Sequence, residues 1–376
     1  MNGDIYLLHP PEAFPTIPAY WSFTSLKEFE LCELRWALSR ASFVNTAGSR
    51  YPSQPSISSA RGNVIHSVIA EFEKEYRAHG GSRRDFFKRF GLRDRVRHAI
   101  ASAVAEEIQT NPRTGPAKAI TPDEAECINQ IKRFVLSLTD KRFSISSEKR
   151  HSFSGPTRKR EGAEVEITID DPRLVAYVDW FADGKVVEIK SGEPRDEHIE
   201  QALFYAALVY RKHRTLPQSV EVFYGKQGRS LTLSDIDIER CEETLNAVVA
   251  SIVSADKRIL SNQYTASENE TCPFCPVRQL CDSYWDSPSC DLREDGRYRG
   301  DIELTVKSLL RESSTQRSYE VLHDRSGKRG YFFQLGGECL DEGNRIRVLR
   351  GNISDDSGAL QISMRTGSEV FTLLES

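Results

Sequence analysis

Asp179, Glu188 and Lys190 fall within one short segment, AYVDWFADGKVVEIKSG, residues 176–192. The alternation predicts two strands, Leu174–Phe181 and Lys185–Lys190, joined around Asp183-Gly184 as a hairpin. Glu188 and Lys190 are two residues apart on the second strand and project from one face of it. Asp179 stands near the end of the first strand, so the hairpin brings all three side chains together. Two carboxylates beside a lysine suit a divalent cation and a phosphodiester. Hard oxygen ligands hold Mg2+ or Mn2+, a bound cation lowers the pKa of water and neutralises charge on phosphate, and a lysine can orient or activate that water. Taken alone, a strand-ending Asp and a Glu-x-Lys pair are common on solvated strands. Val186, Val187 and Ile189 make this strand largely apolar, which marks it as interior, where charges need a reason.

Two helical pieces add to the set. Gln201 and Tyr205 are four residues apart on the following predicted helix, about Glu197 to Lys212, and share a face. Gly62 and His66 open an earlier helix, and an imidazole is a further possible metal ligand. Each is ordinary by itself. A lone His on an amphipathic helix is usually structural.

The eight cysteines are unevenly spread. Cys272, Cys275 and Cys281 lie in TCPFCPVRQLC, Cys290 follows nine residues later, and Cys32, Cys127, Cys241 and Cys339 are isolated. Three thiolates at this spacing fit zinc or a [4Fe–4S] cluster, with a fourth ligand from elsewhere. Spacing alone favours Cys290 and a small zinc-ribbon-like knuckle. Cys127, Cys241 and Cys339 read as buried or incidental thiols.

These groups must be positioned by the rest of a chain of 376 residues, long enough for two or more domains. Hydrophobic residues make up 39% and charged residues 28%, with a net charge of −4, which excludes disordered, collagen-like and coiled-coil chains and a uniformly basic nucleic-acid coat. It does not exclude a local basic groove. Residues 1–21 read as an irregular, proline-rich arm. Helices are expected from Ser22 or Thr24 to about Ser42, from Gly62 to Gly80, over residues 83–109, and from the capping sequence Thr121-Pro122-Asp123-Glu124 onward. Strands are expected at 143–153 and 163–169, then the hairpin, a second hairpin (Val220–Tyr224 and Ser230–Leu233) and a long helix, Asp235–Leu260. From about Gly300, some five short alternating stretches predict a small β-barrel of OB type over 296–376. The longest apolar run, Ala202–Tyr210, is too short to span a membrane, and the N-terminus lacks an export signal, so a cytoplasmic protein is expected. The chain has no GxxxxGK[ST] loop, so ATP-driven unwinding would need a separate helicase subunit.

In the order of its parts — a His-bearing helix, an Asp, a Glu-x-Lys strand, a Gln-x-x-x-Tyr helix — the chain resembles the RecB-like branch of the PD-(D/E)xK nucleases over roughly residues 22–285, within a nuclease domain expected at 22–290. The resemblance implies an α/β fold with a restriction-endonuclease-like mixed sheet flanked by helices and a site at its edge. It implies that His66, Asp179, Glu188 and the main-chain carbonyl of Ile189 hold the metal, that Lys190 is catalytic, and that Gln201 and Tyr205 contact DNA and brace the site. Ala176 stands where such proteins often carry Gly. Some members hold an iron–sulfur cluster on one Cys of an N-terminal helix and three near the end of the nuclease domain. That likeness points to Cys32, in FTSLKEFELCELRWAL, as the fourth ligand beside Cys272, Cys275 and Cys281, although Glu33 follows it where Pro is frequent.

The expected activity is Mg2+- or Mn2+-dependent hydrolysis of DNA, as an exonuclease acting on single strands or ends, in recombination and repair, CRISPR spacer processing or defence against phage. The mode and substrate are implied by the family and by the β module, not by the active-site residues. A phosphate-tracking groove is expected at two basic stretches, 77–98 and 141–160, with Tyr331, Phe332 and Phe333 as candidate stacking residues. A β module that merely docks on the nuclease domain is the alternative for that region. The rival functions are a non-catalytic DNA-binding subunit with a nuclease fold and a zinc-stabilised scaffold.

Overall fold

In a computed structural model, residues 11–43, 51, 56–111, 113, 120–138, 162–182, 184–293, 296–336, 338–355, 359–365 and 367–373 are described. The predicted strand at 143–153 and the basic stretch 141–160 lie outside them. The chain is a mixed α/β protein with two mixed sheets.

Two short helices open it, α1 (Phe23–Leu31) and α2 (Glu33–Arg40). They replace the one continuous helix that the periodicity predicts. Cys32 is extended (φ −164°, ψ 108°), closing α1 and capping α2 through its sulfur, which accepts from the Arg35 amide at 3.4 Å. Then come α3 (Ile57–His79), α4 (Arg83–Arg89), α5 (Leu92–Thr110) and α6 (Glu124–Ser137). Gly91, at φ +69°, divides the single helix predicted over 83–109 into α4 and α5. At α6 the cap is Asp123, whose carboxylate accepts from the Glu126 amide at 2.6 Å, so Pro122 precedes the cap and is not the first helical residue.

The first sheet has the order β1 (Gly162–Ile169), β2 (Leu174–Ala182), β3 (Lys185–Lys190), β4 (Ser219–Tyr224), β5 (Arg229–Thr232). Only β3 and β4 are parallel, because α7 (Asp196–His213) crosses between them. On one face α7 and α8 (Ile238–Ser261) pack with α1 and α2 over Val178, Val186, Val220 and Val222. On the other, α3, α5 and α6 cover Trp180, Val187, Ile189 and Phe223. The apolar run in α7 is fully buried from Phe204 to Val209, which makes it a core helix. Among the described residues no helix is long and apolar enough to cross a membrane.

Cys272–Trp285 forms only short 3-10 turns and the single-turn helix α9 (Asp282–Trp285). The C-terminal module has six strands rather than the predicted five: β6 (Arg297–Glu312), β7 (Gln316–His323), β8 (Arg329–Leu335), β9 (Arg345–Ser354), β10 (Leu360–Ser363) and β11 (Glu369–Leu373). β10 pairs with both β8 and β9, so the ladder β6–β7–β8–β10–β9 returns to β6, and β11 adds to β9. Phe332, Tyr319 and Val348 are fully buried inside it.

Candidate active site and cysteine seat

Asp179 stands where β2 turns over. Ala176 and Val178 pack into the α7-side core, whereas Trp180 packs into the α3-side core. The β2–β3 ladder is paired from Ala182↔Lys185 to Trp180↔Val187 and goes no further. Beyond it the Asp179 carboxylate replaces the strand partner. Its Oδ2 accepts from the Ile189 amide at 2.6 Å, which leaves its Oδ1 3.2 Å from His66 Nδ1 on α3. The predicted hairpin and the convergence of Asp179 with His66 are both present.

Glu188 and Lys190 point from β3 towards α7. Glu188 is 3% exposed, its Oε1 is 2.6 Å from Lys190 Nζ, and its buried Oε2 has no hydrogen-bond donor. Lys190 Nζ also donates to Gln201 Oε1 at 2.8 Å, and Gln201 Nε2 donates to the Tyr205 hydroxyl at 2.6 Å. Gln201 and Tyr205, four residues apart on α7, thus form one hydrogen-bonded chain with the lysine. Burial, and then the neighbouring Asp179, push the Glu188 carboxyl well above the usual carboxylate range, against the pull of Lys190. Burial and the same carboxylates push the Tyr205 hydroxyl up.

His66 faces two acids through one nitrogen. Its Nδ1 is 3.0 Å from Glu164 Oε1 and 3.2 Å from Asp179 Oδ1. Burial alone would depress its pKa, but the two carboxylates outweigh this and raise it to about 10. His66, Glu164 and Asp179 each offer a ligand atom within 4.8 Å of the others. Glu164 is absent from the motif order. Its only signal in the sequence is a cross-strand one, because the β1–β2 register sets it opposite Asp179. His198 on α7 likewise stands outside the motif. Burial, then Lys190 and Arg195, depress it to about 4, so a neutral imidazole sits near the lysine at pH 7.

The cysteines meet far from this site in the chain order. Cys32, Cys272, Cys275 and Cys281 line one cavity with Leu34, Leu38 and Val277. Backbone amides face two of the sulfurs: Ser267 N to Cys32 Sγ at 3.5 Å and Asn269 N to Cys272 Sγ at 3.4 Å. Cys290, favoured by spacing alone, is not on this cavity. It packs with Trp285, Leu349 and Phe371, and its thiol donates to the Tyr284 carbonyl. Burial pushes the thiols of Cys275 (to about 11) and Cys281 up, so metal uptake there would release protons. Among the described residues no three cysteine sulfurs lie within 4.8 Å of one another. Glu33 has a role of its own: its carboxylate takes Arg258 at 2.8 Å and the Thr265 amide at 2.9 Å, tying α2 to the chain after α8. Cys127 and Cys241 are buried in the cores, and Cys339 is exposed.

The basic stretch 77–98 is largely consumed internally. Arg77 and Arg83 pair with Glu73, Lys88 with Asp85, Arg93 and Arg97 with Glu124, and Arg95 with Glu71 and Glu75. Exposed Arg84 and Arg89 have no ion-pair partner among the described residues. Phe86 and Phe90 are core residues around Phe72. In the C-terminal module, Tyr331 is 42% exposed and Phe333 half-buried on the outer face, but Phe332 is buried and cannot stack on a base.

Arginines dock this module on the cysteine segment. Arg278, with its side chain 1% exposed, donates to Asp301 at 2.5 Å and to the Cys275 carbonyl at 3.1 Å. Arg347 reaches the Gln279 carbonyl at 2.7 Å, Arg325 the Ser287 carbonyl at 2.7 Å, and Arg113 the Pro276 carbonyl at 2.6 Å while also gripping Glu369.

Among curated proteins none matches this chain. Three solved structures to which it is similar are the tetrameric p202 HIN2 (14% identity, 22% of this chain and 44% of that one, TM-score 0.19), a murine DNA binding protein bound with ds DNA (14%, 30% and 59%, 0.20), and fission yeast Pot1 with ssDNA (10%, 30% and 48%, 0.20). The chain spans about half the length of each, and at these TM-scores the likeness does not bear on the fold. One family model does match, over residues 20–282, and that span takes in His66, the β2–β3 hairpin, α7 and all four cysteines of the cavity. On that match and the convergence of its acids and lysine, the chain belongs to the PD-(D/E)XK nuclease superfamily.

Proposed function

We propose that the protein is a divalent-cation-dependent DNA nuclease of the RecB-like branch. The observation that carries the reading is the buried carboxylate pair. Glu188 Oε2 is buried with no donor, Asp179 is near enough to push the Glu188 carboxyl up, and Lys190 is held on the other oxygen. Such a pair needs a proton or a cation, and the donor set of His66, Asp179, Glu188 and the Ile189 carbonyl fits Mg2+ or Mn2+. When bound, the cation supplies a water of lowered pKa and charge neutralisation on the phosphate. Lys190, fixed by Gln201 and Glu188, holds and orients the attacking water. Gln201 sets the lysine's direction, and Tyr205 fixes Gln201.

The four-cysteine cavity is proposed to hold a [4Fe–4S] cluster on Cys32, Cys272, Cys275 and Cys281. Tetrahedral zinc with Zn–S near 2.3 Å would draw sulfurs to about 3.8 Å of one another. The order of the four cysteines along the chain, one between the first two helices and three after α8, favours the cluster. Single-stranded DNA or DNA ends are the proposed substrate, cut in exonuclease mode. The closed circuit of five strands supports an OB-type reading of the C-terminal module, with Tyr331 and Phe333 as its stacking pair. Work beside a separate helicase, in repair, spacer processing or phage defence, is the setting this implies. The test is an anaerobic preparation assayed for iron and for cleavage of labelled single- and double-stranded DNA with Mg2+ or Mn2+. No cleavage of any DNA form would favour a non-catalytic DNA-binding subunit. A colourless, zinc-containing protein would favour a scaffold.

A further inference from the structure

We infer that Glu164 is a ligand of the divalent cation, sharing it with His66 and Asp179. The inference rests on the nuclease reading above. Ala163↔Trp180 and Val165↔Val178 are paired across β1 and β2, which leaves Glu164 and Asp179 opposite each other at the point where both strands turn over. Ala163 packs on the α3 side and Val165 on the α7 side. The turn is made at Glu164 itself, whose φ is +53°, a left-handed conformation that a glutamate adopts at a cost. The result is a carboxylate delivered to α3, where Glu166, two residues on, is not.

The contacts call for a cation. His66 Nδ1 carries at most one proton, yet Glu164 Oε1 lies 3.0 Å and Asp179 Oδ1 3.2 Å from that same nitrogen. One N–H cannot serve both acceptors well. A cation among the three ligand atoms, all within 4.8 Å of one another, satisfies each of them. Glu188, 3% exposed, with one unpartnered oxygen and its carboxyl under the influence of Asp179, adds negative charge that Lys190 alone does not offset. An imidazole with carboxylates is a better match to Mn2+ than to Mg2+, which prefers oxygen throughout.

The test is Mn2+ titration of the purified full-length protein by electron paramagnetic resonance, with thermal unfolding as the check on folding. Glu164→Gln and Glu164→Gly are both expected to weaken Mn2+ binding at least ~10-fold. Glycine relieves the positive φ, so Glu164→Gly should keep or raise the unfolding midpoint while still losing affinity. Glu166→Gln should bind as wild type. In a His66→Ala background, Glu164→Gln should still cost affinity. The inference is overturned if both Glu164 variants bind like wild type, or if the His66→Ala background abolishes the effect, which would make Glu164 a positioning residue for His66. If wild-type protein takes up no Mn2+ at all, the nuclease reading itself fails.

Discussion

The acidic site hangs on regular elements: Asp179 on β2, Glu188 and Lys190 on β3, Gln201 and Tyr205 on α7. The cysteine seat hangs on a break between two helices and on turns of three residues. In the first, backbone hydrogen bonds fix the geometry and the side chains inherit it. In the second, backbone hydrogen bonds are local and close single turns, such as Cys275 N to the Cys272 carbonyl, and side chains tie those turns to the rest of the molecule. Arg278, Arg325, Arg347 and Arg113 each grip a carbonyl of the cysteine segment or of the residues just after it. A site of the first kind should lose function without losing structure. A site of the second kind should lose structure first.

The widest gap is expected between substitutions of catalytic carboxylates and of cysteines. Asp179→Asn should lower DNA cleavage by about 10³-fold or more while the far-ultraviolet circular dichroism stays that of wild type, since on the proposed function a metal ligand is lost and the fold is not. Cys281→Ser, or iron chelation, should do the reverse. Some 240 residues separate Cys32 from Cys272, so the proposed cluster would close a long loop. Its loss should lower stability by about 3–5 kcal/mol, read by denaturant unfolding, with protease cuts appearing near 265–290. Equal losses of activity and stability at both sites would erase the distinction.

The docking arginines come next. Arg278→Ala leaves Asp301 buried without its partner and frees the Cys275 carbonyl, and should cost about 3 kcal/mol. Arg325, more exposed, should cost under about 1 kcal/mol on the same assay. A small effect at Arg278 would mean that the cysteine segment holds itself.

A further effect concerns pH in the cation-free protein. His66 is raised to about 10 by Asp179 and Glu164, so its stabilising charge is fully present below about pH 6.5 and is lost as pH rises through 10. Glu188 is also raised. Its protonated form favours folding below the usual carboxylate pKa, and this contribution falls away as pH climbs above it. Cation-free protein should therefore lose stability between pH 7 and pH 10.5, and His66→Ala should flatten that slope. Mn2+ affinity should rise with pH over the range in which these protons are displaced.

The same contrast explains what is legible in the sequence. Periods of two and of about four are local rules, and residue spacing by itself puts Glu188 with Lys190 and Gln201 with Tyr205. Glu164 escapes because Glu164-Val165-Glu166 is plain alternation in sequence, while the chain turns over at a non-glycine residue. Cys290 is nearer in sequence, yet Cys32 is the one that lines the cavity with Cys272, Cys275 and Cys281, because distance along the chain says nothing about tertiary packing. Nothing local in the sequence marks Arg113, Arg278 or Arg347 as an arginine that is buried against a carbonyl. The same blindness overstates the basic stretch 77–98, most of whose charges meet acids on neighbouring helices.

The central claim is best tested by one cleavage assay. End-labelled single-stranded DNA is incubated with anaerobically purified protein and Mn2+, with wild type and Lys190→Ala compared at equal, verified folding. Wild type should degrade the strand only when the cation is present, and Lys190→Ala should be slower by about 10³-fold. Cation-independent cleavage, or equal cleavage by Lys190→Ala, would contradict the account.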